Sequence, residues 1–152
     1  FSVAQFISLG GPLISLLLMN RFEEEKVFTS ATFLLGLTVL LIGMVSDEIL
    51  IFSFYVFSLL CAQIARPSLV IITMKHLPLH FQTKMSGANI VAIGLSGFLV
   101  SYLGIILIDP IGYSFYFLVA GIISMASAIT FFLFIHRLLL SLSSKKSTGV
   151  LS

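Results

Sequence analysis

Four polar side chains interrupt otherwise apolar runs: Gln5, Gln63, Arg66 and Asn89. Amides and a guanidinium can donate hydrogen bonds, and the guanidinium can neutralise an anion, but none of them exchanges a proton near neutral pH or acts as a nucleophile. The residue types that do are scattered. His76 and His80 stand at i, i+4, a spacing that can hold a metal on a helix, yet Pro78 lies between them and no third ligand is near. His136 adjoins Arg137, at the level expected for lipid headgroups. Cys61 is the single cysteine, so no intrachain disulfide can form, and inside an apolar run it reads as a small buried residue. No nucleophile elbow, phosphate loop or pair of carboxylates at catalytic spacing occurs. These residues can bind a solute without transforming it, and the expectation is a protein that is not an enzyme and uses neither metal nor cofactor.

The segments that carry them suit a bilayer. Charged residues make up 9% of the 152 residues, against about 25% in a soluble domain, and the mean hydropathy is +1.18. Too few charges are present to cover the surface of a soluble globule of this size, and the net charge of +2 gives no footprint for nucleic acid. Continuous apolar runs, longer than the roughly 18–20 residues that cross a hydrocarbon core, predict helices; a barrel would alternate apolar and polar residues. The expected fold is all-α, a polytopic transmembrane helical bundle of five spans at 1–19, 27–45, 49–74, 85–108 and 113–140. Short connectors at 20–26, 46–48, 75–84 and 109–112 imply antiparallel neighbours. The Ser- and Lys-rich segment 141–152 reads as a disordered tail.

The connectors alternate in charge. Arg21 and Lys26 lie in the first, Lys75 and Lys84 in the third, and Arg137, Lys145 and Lys146 follow the fifth span. The second and fourth hold only Asp47, Glu48 and Asp109. Every Lys and Arg except Arg66 therefore falls on one side, which the positive-inside rule assigns to the cytoplasm. The N-terminus is then outside and the C-terminus cytoplasmic. Five spans with an exported N-terminus that starts mid-pattern at Phe1 suggest that preceding spans belong to the protein.

Within the spans, backbone breaks and small residues mark where helices bend or approach. Gly10, Gly11 and Pro12 predict a kink, either a packing feature or a broken helix beside a solute. Pro67 allows a second bend next to Arg66. That arginine either snorkels to the cytoplasmic surface or faces inward to pair with a carboxylate or an anionic solute; no acidic residue within the spans has the right depth, so a partner would come from Glu23–Glu25 or from residues outside this sequence. At 100° per residue, Gly87, Gly94, Gly97, Ser101 and Gly104 fall within an arc of about 100°, a face for close helix packing. Asn89 and Ser96 fall on another face. Asn89 is either on a transport pathway or in an interhelical hydrogen bond. Ala120, Ser124 and Ala128 form a further small-residue row.

This arrangement resembles the C-terminal half of a major facilitator superfamily transporter, helices eight to twelve of the usual twelve, over nearly the whole chain. Asn20-Arg21-Phe22 ahead of Lys26 is similar to the superfamily's cytoplasmic loop motif, with Glu23, Glu24 and Glu25 in place of its Gly and basic residues. The spacing Pro67, Lys75, Pro78, Met85, Gly87 resembles the tenth-to-eleventh-helix segment of proton-coupled oligopeptide transporters, and Phe6, Ser8, Leu9 and Pro12 resemble their eighth helix. Ala62 stands where that family has a peptide-contacting Glu, and Asn89 where it has a Trp. The resemblance implies residues 1–140 as a partial C-terminal bundle rocking against a missing N-terminal bundle, in a multi-pass protein of the inner (plasma) membrane. The solute would be a peptide or similar small molecule moved with protons, past Asn89, Gln63, Gln5 and Arg66. A drug or metabolite antiporter of the same superfamily, or a truncated membrane protein without transport of its own, are the alternatives.

Overall fold

A computed structural model describes residues 10–76 and 79–148. Among them are five helices and no strand: α1 (Gly10–Met19), α2 (Glu24–Met44), α3 (Glu48–His76), α4 (Leu79–Ile111) and α5 (Tyr113–Thr148). The all-helical architecture follows from the apolar runs, because a chain in hydrocarbon must satisfy its own backbone groups. Helices α2 to α5 are each long and apolar enough to cross a bilayer, which makes a multi-pass helical membrane bundle the architecture these residues suit. The described part of α1 is ten residues, and the expected first half of that span, with Gln5, lies outside the described residues.

The helix ends differ from the sequence expectation in four places. Glu24 and Glu25 lie in the first turn of α2 instead of a connector, where their charge favours the positive end of the helix dipole. The basic connector expected over 75–84 is mostly helical: α3 runs to His76 and α4 starts at Leu79. Asp109 and Pro110, expected in the connector 109–112, stay within α4, and the corner is Gly112 alone. Its φ of +85° is the left-handed conformation that suits glycine, and its N–H donates to the Ile108 carbonyl at 2.8 Å. Finally, α5 continues to Thr148, past the expected end of the fifth span at residue 140. No proline or glycine interrupts the stretch before Gly149, so nothing in its chemistry stops the helix.

At the opposite face, Asp47 accepts the backbone N–H groups of Ile49 and Leu50 at 3.0 Å each, a side-chain cap on α3. Pro12 and Pro67 are both accommodated inside continuous helix.

Helix α2 is central. Its Gly36 and Gly43 meet α5 so closely that an added Cβ at Gly36 would lie 2.8 Å from the Met125 nitrogen, and one at Gly43 2.7 Å from the Ser114 carbonyl oxygen. Gly121 returns the contact, 2.7 Å from the Leu40 nitrogen by the same measure. Ala128, from the expected small-residue row, is 1% exposed, and the Phe28 and Phe131 rings pack edge to face with centroids 4.6 Å apart. Helix α3 covers another side of α2, and α1 lies along α3 in the same direction. Ser15 donates to the Ile64 carbonyl at 3.2 Å, and the Ser68 hydroxyl reaches the Met19 sulfur at 3.7 Å. Helix α4 meets α3 around the Gln82–Met74 bond and α5 from Gly112 back to Val100; most of its residues are exposed.

Candidate functional site

Gln82 Nε2 donates to the Met74 carbonyl at 3.1 Å, which ties the start of α4 to the end of α3.

From this bond the two helices diverge as a wedge, and both carry polar residues along their length. On α4, Gln82, Ser86, Asn89 and Ser96 recur at helical spacing and fall within an arc of about 80°. On α3, Arg66, Val70, Thr73 and Met74 share an arc of about 100°. At the base of the wedge Val70, Thr73, Met74, Gln82, Ser86 and Asn89 enclose a cleft of about 30 Å³, room for an ordered water. Above it the helices separate. Thr73 is occupied by the Leu69 carbonyl of its own helix at 2.7 Å, and Ser96 by that of Ile93 at 2.9 Å.

Asn89 is half-buried and lines this cleft; Arg66 is exposed and stands outside it. It sits about 6 Å from the midpoint of α3, within the stretch long enough to cross the bilayer. A charge near the middle of a span costs on the order of 2.5–3.5 kcal/mol on insertion scales, which is reduced when the side chain snorkels or finds a partner. Glu23 pairs instead with Lys26 at 3.0 Å, and Glu24 with Lys75 at 3.2 Å. Among the described residues no carboxylate forms an ion pair with Arg66.

The other anticipated residues separate from this wedge. Gln63 is half-buried, and its backbone and Cβ also support the α1–α3 crossing: a Cβ added at Gly11 would fall 2.5 Å from the Gln63 Cβ. Gly11 therefore serves close approach, while Gly10 has open space around it. Gly87, Gly94 and Gly97 also meet nothing within 4 Å, so among the described residues their face is uncovered; it lies roughly a quarter-turn from the polar stripe. Gly104 alone approaches a neighbour, 3.5 Å from the Tyr116 hydroxyl by the same added-Cβ measure. Gln5 lies outside the described residues.

Sequence reasoning missed the seam that holds the bundle. Gly36 and Gly43 are seven residues apart, as are Gly121 and Ala128, a spacing that places each pair on one helix face and could have identified it. It also missed an apolar cavity of about 550 Å³ between α1, α2 and α3, with Leu18, Phe22, Ala31 and Cys61 in its walls and Lys26 at its edge. Cys61 is buried there as expected. Among the described residues no cluster of His, Cys, Asp or Glu could hold a metal. No known protein family, characterised protein or solved structure matches the chain.

Proposed function

We propose that this chain forms part of an alternating-access secondary transporter with major facilitator architecture, moving a peptide-like small solute together with protons. The observation that carries the proposal is the α3–α4 wedge. Two long apolar helices that meet at this cleft carry Gln63, Arg66 and Asn89 within stretches long enough to cross a bilayer, where lipid would leave those groups unsatisfied. Further spans of the transporter would cover α4, with Gly87, Gly94 and Gly97 as the surface of closest approach. Rocking of the packed α1–α2–α3–α5 unit against that second bundle would expose the wedge alternately to either side. The basic helix ends would face the cytoplasm of a plasma membrane.

The complete protein, reconstituted in liposomes with an imposed inward proton gradient, is expected to accumulate labelled dialanine and to lose accumulation when an uncoupler is added. Accumulation that ignores the gradient removes the proton coupling. Absence of uptake together with outward movement of an apolar dye supports the second reading, a drug or metabolite antiporter, which the apolar cavity beside Cys61 favours.

A further inference from the structure

We infer that the apolar cavity between α1, α2 and α3 holds one acyl chain of a membrane phospholipid, with the phosphate of that lipid on Lys26. The cavity measures about 550 Å³, within the roughly 300–1,000 Å³ of sites that take small molecules. Val27, Ala31 and Cys61 are buried at its floor, while Phe22, Leu34 and Phe57 are exposed at its rim. It therefore opens sideways, where a bilayer supplies hydrocarbon. Left empty, it would deprive its walls of dispersion contacts. Among its lining residues only Lys26 and Ser30 carry strongly polar side chains. A peptide or a sugar would leave its own polar groups unpaired there, whereas a hydrocarbon chain would not.

The polarity of the lining is graded. Along α2 it runs Lys26, Ser30, Leu34, each about one turn after the last, from cation through hydroxyl to hydrocarbon. The series spans about 12 Å from the first turn of the helix toward its middle. A phospholipid meets the same order on passing from its phosphate to its acyl chains. Lys26 Nζ lies 3.0 Å from Glu23, and both side chains are largely exposed, so water weakens that pair. An ammonium has three donors and can hold a phosphate oxygen beside the carboxylate. Glu23, Glu24 and Glu25 are matched in number by Arg21, Lys26 and Lys75, and Lys75 pairs with Glu24. The charges at this end balance, so the phosphate common to all phospholipids suffices and no net negative headgroup is required. The site needs only the membrane setting of these helices and goes beyond the transport reading.

The test is photolabelling of the complete protein in detergent, with a limiting amount of a phosphatidylcholine that carries a diazirine midway along one acyl chain. Adducts are mapped by mass spectrometry. They are expected on residues 27–34 and 57–64, and to fall at least fivefold in Ala31→Leu, which fills the floor. Ser30→Leu, at an exposed lining position, gives the same reading should Ala31→Leu fail to fold. Lys26→Gln should lower labelling at least threefold and Lys26→Arg should retain it. A diacylglycerol with the same diazirine but no phosphate should label the unaltered protein as weakly as the phospholipid labels Lys26→Gln.

Adducts in these segments that persist undiminished in the filled cavity overturn the inference. Labelling that ignores both Lys26→Gln and the missing phosphate does so too. Absence of adducts also overturns it, and Cys61 then reports the true occupant, with any other cysteines changed to serine. A Cys61 inert to N-ethylmaleimide in folded protein means that another protein segment fills the cavity. A reactive Cys61 protected by an apolar dye means a solute site, as in the antiporter reading. None of these outcomes depends on dialanine uptake, so the lipid site and the peptide-transport reading fail separately.

Discussion

Helices α2 and α4 are both glycine-bearing and apolar, yet they live in opposite surroundings. In the most apolar stretch of α2, 28% of residues are buried inside the chain; in that of α4, 6% are. The α2 glycines are filled sites. Gly36 and Gly43 face the backbone of α5 at distances a Cβ could not occupy, and Gly121 mirrors them. The α4 glycines at 87, 94 and 97 face open space. Small residues on a membrane helix thus identify a face capable of close approach. They do not reveal whether the approaching helix comes from the same stretch of chain.

The strongest test of this contrast places the same side chain in both helices. Gly121→Val puts branched carbon where even a Cβ would meet the Leu40 nitrogen at 2.7 Å and the Gly36 carbonyl oxygen at 2.8 Å. Neither backbone atom can rotate away, so α2 and α5 must separate. Overpacking of this kind costs about 1–3 kcal/mol and occasionally more, and Gly121→Val should lie at the upper end, with loss of folded protein on extraction. Gly94→Val meets no neighbour within these residues. In the complete protein it should cost less than Gly121→Val but clearly more than the roughly 0.5 kcal/mol typical of a neutral surface change, because a covering span is proposed there. Thermal unfolding in detergent measures both. A neutral Gly94→Val would mean that lipid covers this face.

A smaller effect is expected where α4 is tied to the bundle. The Tyr116 hydroxyl donates to the Val100 carbonyl at 2.9 Å and lies beside Gly104. Tyr116→Phe keeps the ring and removes this bond. The expected cost is about 0.5–1.5 kcal/mol, accompanied by faster thiol labelling of a cysteine placed at Val119, which lies with Val100 and Tyr116 in the apolar cavity between α4 and α5. Equal labelling before and after the change would show that the apolar contacts alone hold the helices together.

What could be read from the sequence divides along the same line. The existence and order of the helices were legible, because each apolar run is long and a bilayer leaves few alternatives. Their ends were not. Lys75, Lys84, Asp109 and Pro110 look like connector residues, but basic side chains suit helix ends at a membrane surface, and Pro110 is tolerated in the last turn of α4. That misreading concealed the cleft where α3 and α4 meet. The residue types were visible in the sequence, whereas the meeting of Val70 and Met74 with Gln82 and Asn89 depended on where α3 ends and α4 starts. The α2–α5 seam was hidden for another reason: seven-residue spacing marks Gly36, Gly43 and Gly121 as facing something, and only tertiary structure pairs them.

The smallest effect belongs to the ion pair at the base of the packed region. Lys75 Nζ lies 3.2 Å from Glu24 Oε2, linking the end of α3 to the start of α2, with Lys75 at 58% and Glu24 at 26% side-chain exposure. The geometry is good, but water screens the cation, and exposed pairs contribute about 0.2–1 kcal/mol. A double-mutant cycle with Lys75→Ala and Glu24→Gln should give a coupling energy in that range, falling toward zero as salt is raised from low ionic strength to about 1 M, where the screening length is about 3 Å. Glu24 also lies in the first turn of α2, so Glu24→Gln should lose some helix-dipole stabilisation even in the Lys75→Ala background. The cycle separates this single-site cost from the pair. A coupling well above 1 kcal/mol that persists at high salt would mean that the pair is shielded in the complete protein. It would then place a further segment over this end of α2 and α3, and the packed region would be as incompletely covered by the described residues as α4 is.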